Sequence, residues 1–122
     1  MKVLIVDDEP EHLSTVEALL KQRGYIVVLA ADGREGFEKA VETRPDLIIM
    51  DIMMPVMDGT EAAAHIRSHP VIKNTPIIFV TAAISAEEKT SLGESQNLIF
   101  PKPVKFSELL DAIRRFENGK KF

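Results

Sequence analysis

The sequence predicts an α/β domain built on a parallel sheet, and three features point there. Five short apolar runs rich in β-branched residues barely alternate, as strands buried on both faces do. Stretches with helical spacing separate them, which favours right-handed β-α-β crossovers and helices on both faces. The length of 122 residues suits one domain that buries its core without disulfides or structural metals, and the chain has no cysteine.

The elements follow in order. Val3-Leu4-Ile5-Val6 reads as the first strand and ends on Asp7-Asp8. Leu13, Val16, Leu19 and Leu20 share one face of a helix from about Pro10 to Arg23, with Pro10 in its first turn and Gly24 stopping it. Tyr25 to Leu29 is the second strand. Asp32 and Glu35 form a capping box for a helix that carries Phe37, Ala40 and Val41 and ends before Pro45. Leu47 to Met50 is the third strand, ending on Asp51, and a helix from about Thr60 to Ser68 stops before Pro70. Ile77 to Val80 is the fourth strand and ends on Thr81. Ser85 and Glu88 mark a short polar helix closed by Gly93. Leu98-Ile99-Phe100-Pro101 ends on Lys102, and Phe106 to Glu117 is a helix with Leu109, Leu110 and Ile113 inward. Pro101 removes a ladder donor, which suits an edge strand.

Composition narrows the function. A net charge of −4 gives no general attraction to nucleic acid or anionic lipid, and the tail from Asn118 to Phe122 is too short to recognise nucleic acid. No apolar stretch approaches the roughly 18 residues of a membrane span, and no secretory leader is legible, so a cytoplasmic protein is expected. The turn after the first strand is acidic, Asp7-Asp8-Glu9-Pro10, where dinucleotide-binding folds carry glycines. Such a turn repels a pyrophosphate. If the runs are parallel strands of one sheet, Asp7, Asp8, Asp51, Thr81 and Lys102 converge at its carboxyl edge, where open α/β folds build their sites. Three carboxylates, a hydroxyl and an ammonium have the chemistry of a magnesium and phosphoryl pocket.

Val6-Asp7-Asp8-Glu9-Pro10, Asp51-Ile52-Met53-Met54-Pro55 with Asp58-Gly59, Thr81-Ala82 and Lys102-Pro103 stand in the order and on the elements of the receiver domain of two-component response regulators, which the chain resembles over nearly its whole length. The resemblance implies one flavodoxin-like (βα)5 domain over residues 1–122, core about 2–117, with a sheet of order 2-1-3-4-5. It makes Asp51 the phosphoacceptor for a sensor histidine kinase or a histidine phosphotransfer protein. Mg2+ would be held by Asp7, Asp8, Asp51 and the backbone carbonyl of Met53. Thr81, Ala82 and Lys102 would bind the phosphoryl group, and Pro55, Gly59 and Pro103 would be structural. Phosphorylation would change the surface of the predicted helix after Ser85, the fifth strand and the last helix. A downstream protein or effector domain would read it, and a dimer formed on phosphorylation is among the outputs that fit. No effector domain lies within this sequence. Such a protein is a switch that partly catalyses its own phosphorylation and dephosphorylation, and not an enzyme acting on a separate substrate.

Two competitors stay open on sequence grounds. A receiver-like module that works without phosphate would lack an acidic residue, the threonine or the lysine, and none is missing. Magnesium-dependent aspartyl-phosphate phosphatases usually place a second carboxylate two residues after the nucleophile, where this chain has Met53. Some features depart from the family pattern. The aromatic toggle three residues before the lysine is replaced by Ile99, and Phe100, one residue later, points to the opposite face of a regular strand. The stretch from Gly93 to Leu98 lacks the common glycine-alanine turn. His12, His65 and His69 read as helix-surface residues, and Met50, Met53, Met54 and Met57 as core and loop packing.

Overall fold

The computed structural model describes residues 1–81, 98–101 and 105–119. Strand and helix alternate: β1 (Lys2–Val6), α1 (Pro10–Gln22), β2 (Ile26–Ala30), α2 (Gly33–Thr43), β3 (Leu47–Asp51), α3 (Gly59–Ser68), β4 (Ile77–Thr81), β5 (Leu98–Pro101) and α4 (Phe106–Glu117). The strands form one parallel sheet of five, in the order β2-β1-β3-β4-β5. This is the flavodoxin-like order expected above, and Pro101 lies on an edge strand, where its missing N–H is tolerated. The helix expected from Ser85 to Gly93, with the loop that follows it, lies outside the described residues.

Period-two alternation divides the core. Leu4, Val6, Ile48, Met50, Ile77, Phe79 and Ile99 face Ala40 of α2 and Ala62, Ala63 and Ile66 of α3. Their strand neighbours Val3, Ile5, Leu47, Ile49, Ile78 and Val80 face Leu20 of α1 and Leu109, Leu110 and Ile113 of α4. Both faces of β1, β3 and β4 are therefore covered, which is why those strands read as unbroken apolar runs. Each fully buried Leu, Ile or Phe contributes about 1.5–3 kcal/mol relative to exposure. On the edge, β2 keeps Ile26 exposed.

Helix ends place the loops. The Asp32 carboxylate accepts the Glu35 N–H at 2.8 Å, and Glu35 accepts the Ala31 N–H at 3.3 Å. The expected capping pair is thus present, with its return bond one residue upstream of the cap. Pro10 begins α1, whose cap residue Glu9 makes no side-chain capping bond. That helix ends at Gln22, one residue short of the expected Arg23, which caps it. The chain then turns at Gly24, at φ +88°. Helix α3 starts at Gly59, one residue before the expected Thr60, because Asp58 caps it.

The topology fixes where a site can form. From β1 the chain runs outward to β2, then returns across β1 to β3 and continues to β4 and β5. The direction reverses between β1 and β3, which leaves a crevice beyond their carboxyl ends.

Candidate functional site

Val6 is the register partner of Met50, so Asp7 and Asp51, the next residues, stand side by side at that crevice. One carboxylate oxygen from each of Asp7, Asp8 and Asp51 lies within 4.8 Å of the other two. The site is graded in depth: Asp51 is only 6 % exposed, Asp7 is half-buried and Asp8 is open to solvent. Asp51 Oδ1 accepts the Met53 N–H at 3.3 Å, and Asp7 Oδ1 accepts the Glu9 N–H at 2.9 Å. At such separations each pair of negative charges repels by about 3.5 kcal/mol at an effective dielectric near 20. A divalent cation reverses that sign. Oxygens around Mg2+ at roughly 2.1 Å lie about 3–4 Å apart, so this donor set fits the ion with small shifts or an intervening water.

The loop from Ile52 to Asp58 forms the wall. Ile52 N–H donates to the Val80 carbonyl at 3.3 Å, and Gly59 N–H donates back to the Ile52 carbonyl at 2.7 Å. A side chain at Gly59 would overlap the Asp51 carbonyl oxygen and approach Ile52 Cα to 2.8 Å. Only glycine lets α3 start this close to the end of β3. Asp8, Ile52, Met53, Met54, Pro55 and Asp58 line an open pocket of about 420 Å³. Asp58 Oδ1 accepts the Thr60 hydroxyl at 2.7 Å and the Glu61 N–H at 2.9 Å. Those bonds, the hydroxyl first, hold its carboxyl below the ordinary range. Capping α3 thus occupies one of its oxygens.

The methionines divide by position. Met50 is core, and Met54 and Met57 are half-buried against it. Met53 instead is 61 % exposed, because the chain leaves the sheet after Asp51 and no element among the described residues covers the bend. The packing expected for Met53 is corrected to an exposed pocket wall. Val56 takes φ +69°, and Met57 N–H donates to the Pro55 carbonyl at 2.7 Å, closing a one-residue turn around a β-branched side chain.

On the neighbouring strand Val80 is the partner of Asp51, so Thr81 sits one residue beyond it, fully buried at the same sheet edge. Asp7, Asp8, Asp51, Met53 and Thr81 are thereby brought to one edge. Ala82, Lys102 and Pro103 lie outside the described residues. Ile99 is buried beside Phe79, while Phe100 packs half-buried on the opposite, α1 and α4 face, as strand alternation requires.

His12 is a surface residue of α1, yet its Nδ1 lies 3.4 Å from Asp7 Oδ2 and its Nε2 3.4 Å from Glu9 Oε2. Sequence reasoning missed this contact. The signal was available: one helical turn separates Glu9 from His12, so both lean over the same end of β1. His65 and His69 pack on the Phe37 ring at 5.6 and 6.0 Å, bridging α2 and the end of α3.

A family model for the response regulator receiver domain matches residues 3–114. Protein PilG of Pseudomonas aeruginosa is 36 % identical over 117 residues, which cover 93 % of this chain and 85 % of PilG. The chemotaxis protein CheY4 of Vibrio cholerae superposes with a TM-score of 0.85 at 38 % identity, over 93 % of this chain and 96 % of that one. The receiver domain of sensor histidine kinase PA1611 from Pseudomonas aeruginosa, solved with a magnesium ion coordinated in its active site cleft, superposes at 0.82 with 36 % identity, over 93 % and 94 % of the two chains. Other curated relatives are longer, and the chain spans about half of some and 13 % of others.

Proposed function

The chain belongs to the response regulator receiver domain family, the phosphoacceptor switches of two-component systems, and on that premise we propose that it takes a phosphoryl group onto Asp51 from a sensor histidine kinase or a histidine phosphotransfer protein. The observation that carries this reading is the setting of Asp51. Among the described residues it is the one buried carboxylate, with two more carboxylates within reach at its open side. A nucleophile in such a place is shielded from bulk water but reachable by a partner's phosphohistidine from the crevice.

The bond changes are simple. An Asp51 carboxylate oxygen attacks phosphorus as the P–N bond to the partner's imidazole breaks, and the nitrogen keeps the electron pair. The product is an acyl phosphate. Asp7, Asp8, Asp51 and the Met53 carbonyl would hold Mg2+, which when bound neutralises the charge gathered on the transferring group. The Met53 N–H orients the Asp51 carboxylate from the side. Thr81 and Lys102 would take the phosphoryl oxygens by hydroxyl donation and ion pairing, with the Ala82 backbone alongside. Because Thr81 ends β4, its movement toward the phosphoryl group pulls on the segment that follows, and the local charge change becomes a surface change read by a partner or effector domain. Ile99 in place of an aromatic leaves Thr81 as the chief coupling residue. The domain spans residues 1–122, with its core at about 2–117, and it works as a switch and not as an enzyme on a separate substrate.

Intact mass after incubation with acetyl phosphate tests this reading. One added phosphoryl group that requires Mg2+, is abolished by EDTA and is absent from a folded Asp51→Asn variant is expected. Stoichiometric labelling of Asp51→Asn overturns it.

A further inference from the structure

We propose that Gly33, the first residue of α2, is a positioning residue for the segment Asp51–Met53, acting through the β3–α3 loop; the inference rests on the metal-binding role proposed above. Gly33 has no side chain with which to ligate a metal. Its N–H donates to the Met57 carbonyl at 3.0 Å. A side chain there would overlap that same carbonyl oxygen and come within 2.8 Å of the Met57 carbonyl carbon and 2.9 Å of the Asp58 oxygen. All of these are backbone atoms, so no rotamer change relieves the overlap.

The far end of the loop is held in the same way. Gly59 lies against the Asp51 carbonyl and donates to the Ile52 carbonyl at 2.7 Å. Between the two close contacts sits the tight turn at Val56, at φ +69°, preceded by Pro55, whose ring fixes its own φ. The loop is therefore wedged between the first residue of α2 and the last of β3, with little slack to absorb a push. Helix α2 is firm at that end, since Asp32 accepts the Glu35 N–H at 2.8 Å and Glu35 accepts the Ala31 N–H at 3.3 Å. A displacement at Met57 and Asp58 travels both ways, to Met53 through Pro55 and to the Asp51 backbone through Gly59. Supporting contacts of metal ligands typically change affinity by about 10–100-fold when lost.

The test compares Mg2+ titrations followed by backbone amide NMR in the wild type, Gly33→Ala, Asp32→Ala and Gly24→Ala. Gly24 sits at the opposite edge of the sheet, at φ +88°, where a side chain would meet no atom of the described residues within 4 Å, so its substitution destabilises the fold without touching the loop. Gly33→Ala should move the Asp51, Met53 and Met57 amides in metal-free protein and weaken Mg2+ binding about tenfold. Gly24→Ala, though destabilised, should bind as the wild type does. Asp32→Ala, which loosens the start of α2 without adding bulk, should weaken binding by a smaller factor and serves where Gly33→Ala does not fold. A folded Gly33→Ala with unmoved amides and wild-type affinity overturns the clamp alone; if Gly33→Ala does not fold, an Asp32→Ala that matches the wild type does so. A wild-type spectrum that Mg2+ leaves unchanged refutes the metal-binding reading itself.

Discussion

Replacing Val56 with glycine is predicted to stabilise the protein, although it removes a side chain. Val56 takes φ +69° in a turn closed by the 2.7 Å bond from Met57 N–H to the Pro55 carbonyl. A non-glycine residue held in such a region costs about 1–3 kcal/mol, and the β-branched valine belongs toward the upper part. Glycine relieves that cost but gives back roughly 0.5–1 kcal/mol through the greater freedom of the unfolded chain. The lost burial is small, since the valine is 76 % exposed; about a quarter of a buried valine's contribution is near 0.4 kcal/mol. The balance favours the variant by about 1 kcal/mol. Urea unfolding followed by circular dichroism should show the midpoint raised by roughly 0.5 M at an unchanged slope near 2 kcal/mol/M. A lowered or unmoved midpoint at constant slope would refute the claim that this turn, in the loop after Asp51, stores strain.

Further outcomes follow from the same geometry. Gly59→Ala drives a methyl into the Asp51 carbonyl, so a loss of about 1–3 kcal/mol in urea midpoints is expected together with weakened Mg2+ binding; a variant matching the wild type in both would show that the backbone yields freely there. Asp58→Ala removes the α3 cap and should cost about 1 kcal/mol at pH 7. Because folding depresses the Asp58 carboxyl below its ordinary 3.8, that stabilisation is present above about pH 4 and lost as pH falls through the lower folded value. The gap between wild type and variant should therefore close in acid, and a gap constant down to pH 2 contradicts the cap assignment. Lys102→Ala should still be labelled by acetyl phosphate but show a reduced amide-shift response on phosphorylation, and a full response would remove the lysine from the switch.

The strands, and the meeting of Asp7, Asp8, Asp51 and Thr81 at one sheet edge, were legible because each depends on a one-dimensional pattern. A strand covered on both faces must be apolar at every position, so β3 and β4 stand out, and the reactive residue at each end marks the carboxyl edge. Features missed in the sequence depend on how the chain bends after an element ends. Asp58 carried a readable cap signal, with Glu61 three residues later, although the helix was expected from Thr60. Nothing in the valine at position 56 announces a positive φ, since glycine or asparagine would be the usual choice there. The exposure of Met53 and the reach of His12 to Asp7 are likewise tertiary facts, set by the turn out of β3 and by the side-chain direction at the start of α1.

Reduction of the phosphorylated protein with borohydride, followed by peptide mapping, identifies the residue that carries the phosphoryl group. An acyl phosphate on an aspartate is reduced to homoserine, so homoserine is expected at position 51 with unchanged aspartate at 7, 8 and 58. Homoserine at Asp7, Asp8 or Asp58, or a phosphoryl group that survives on His12 with position 51 unmodified, would contradict it.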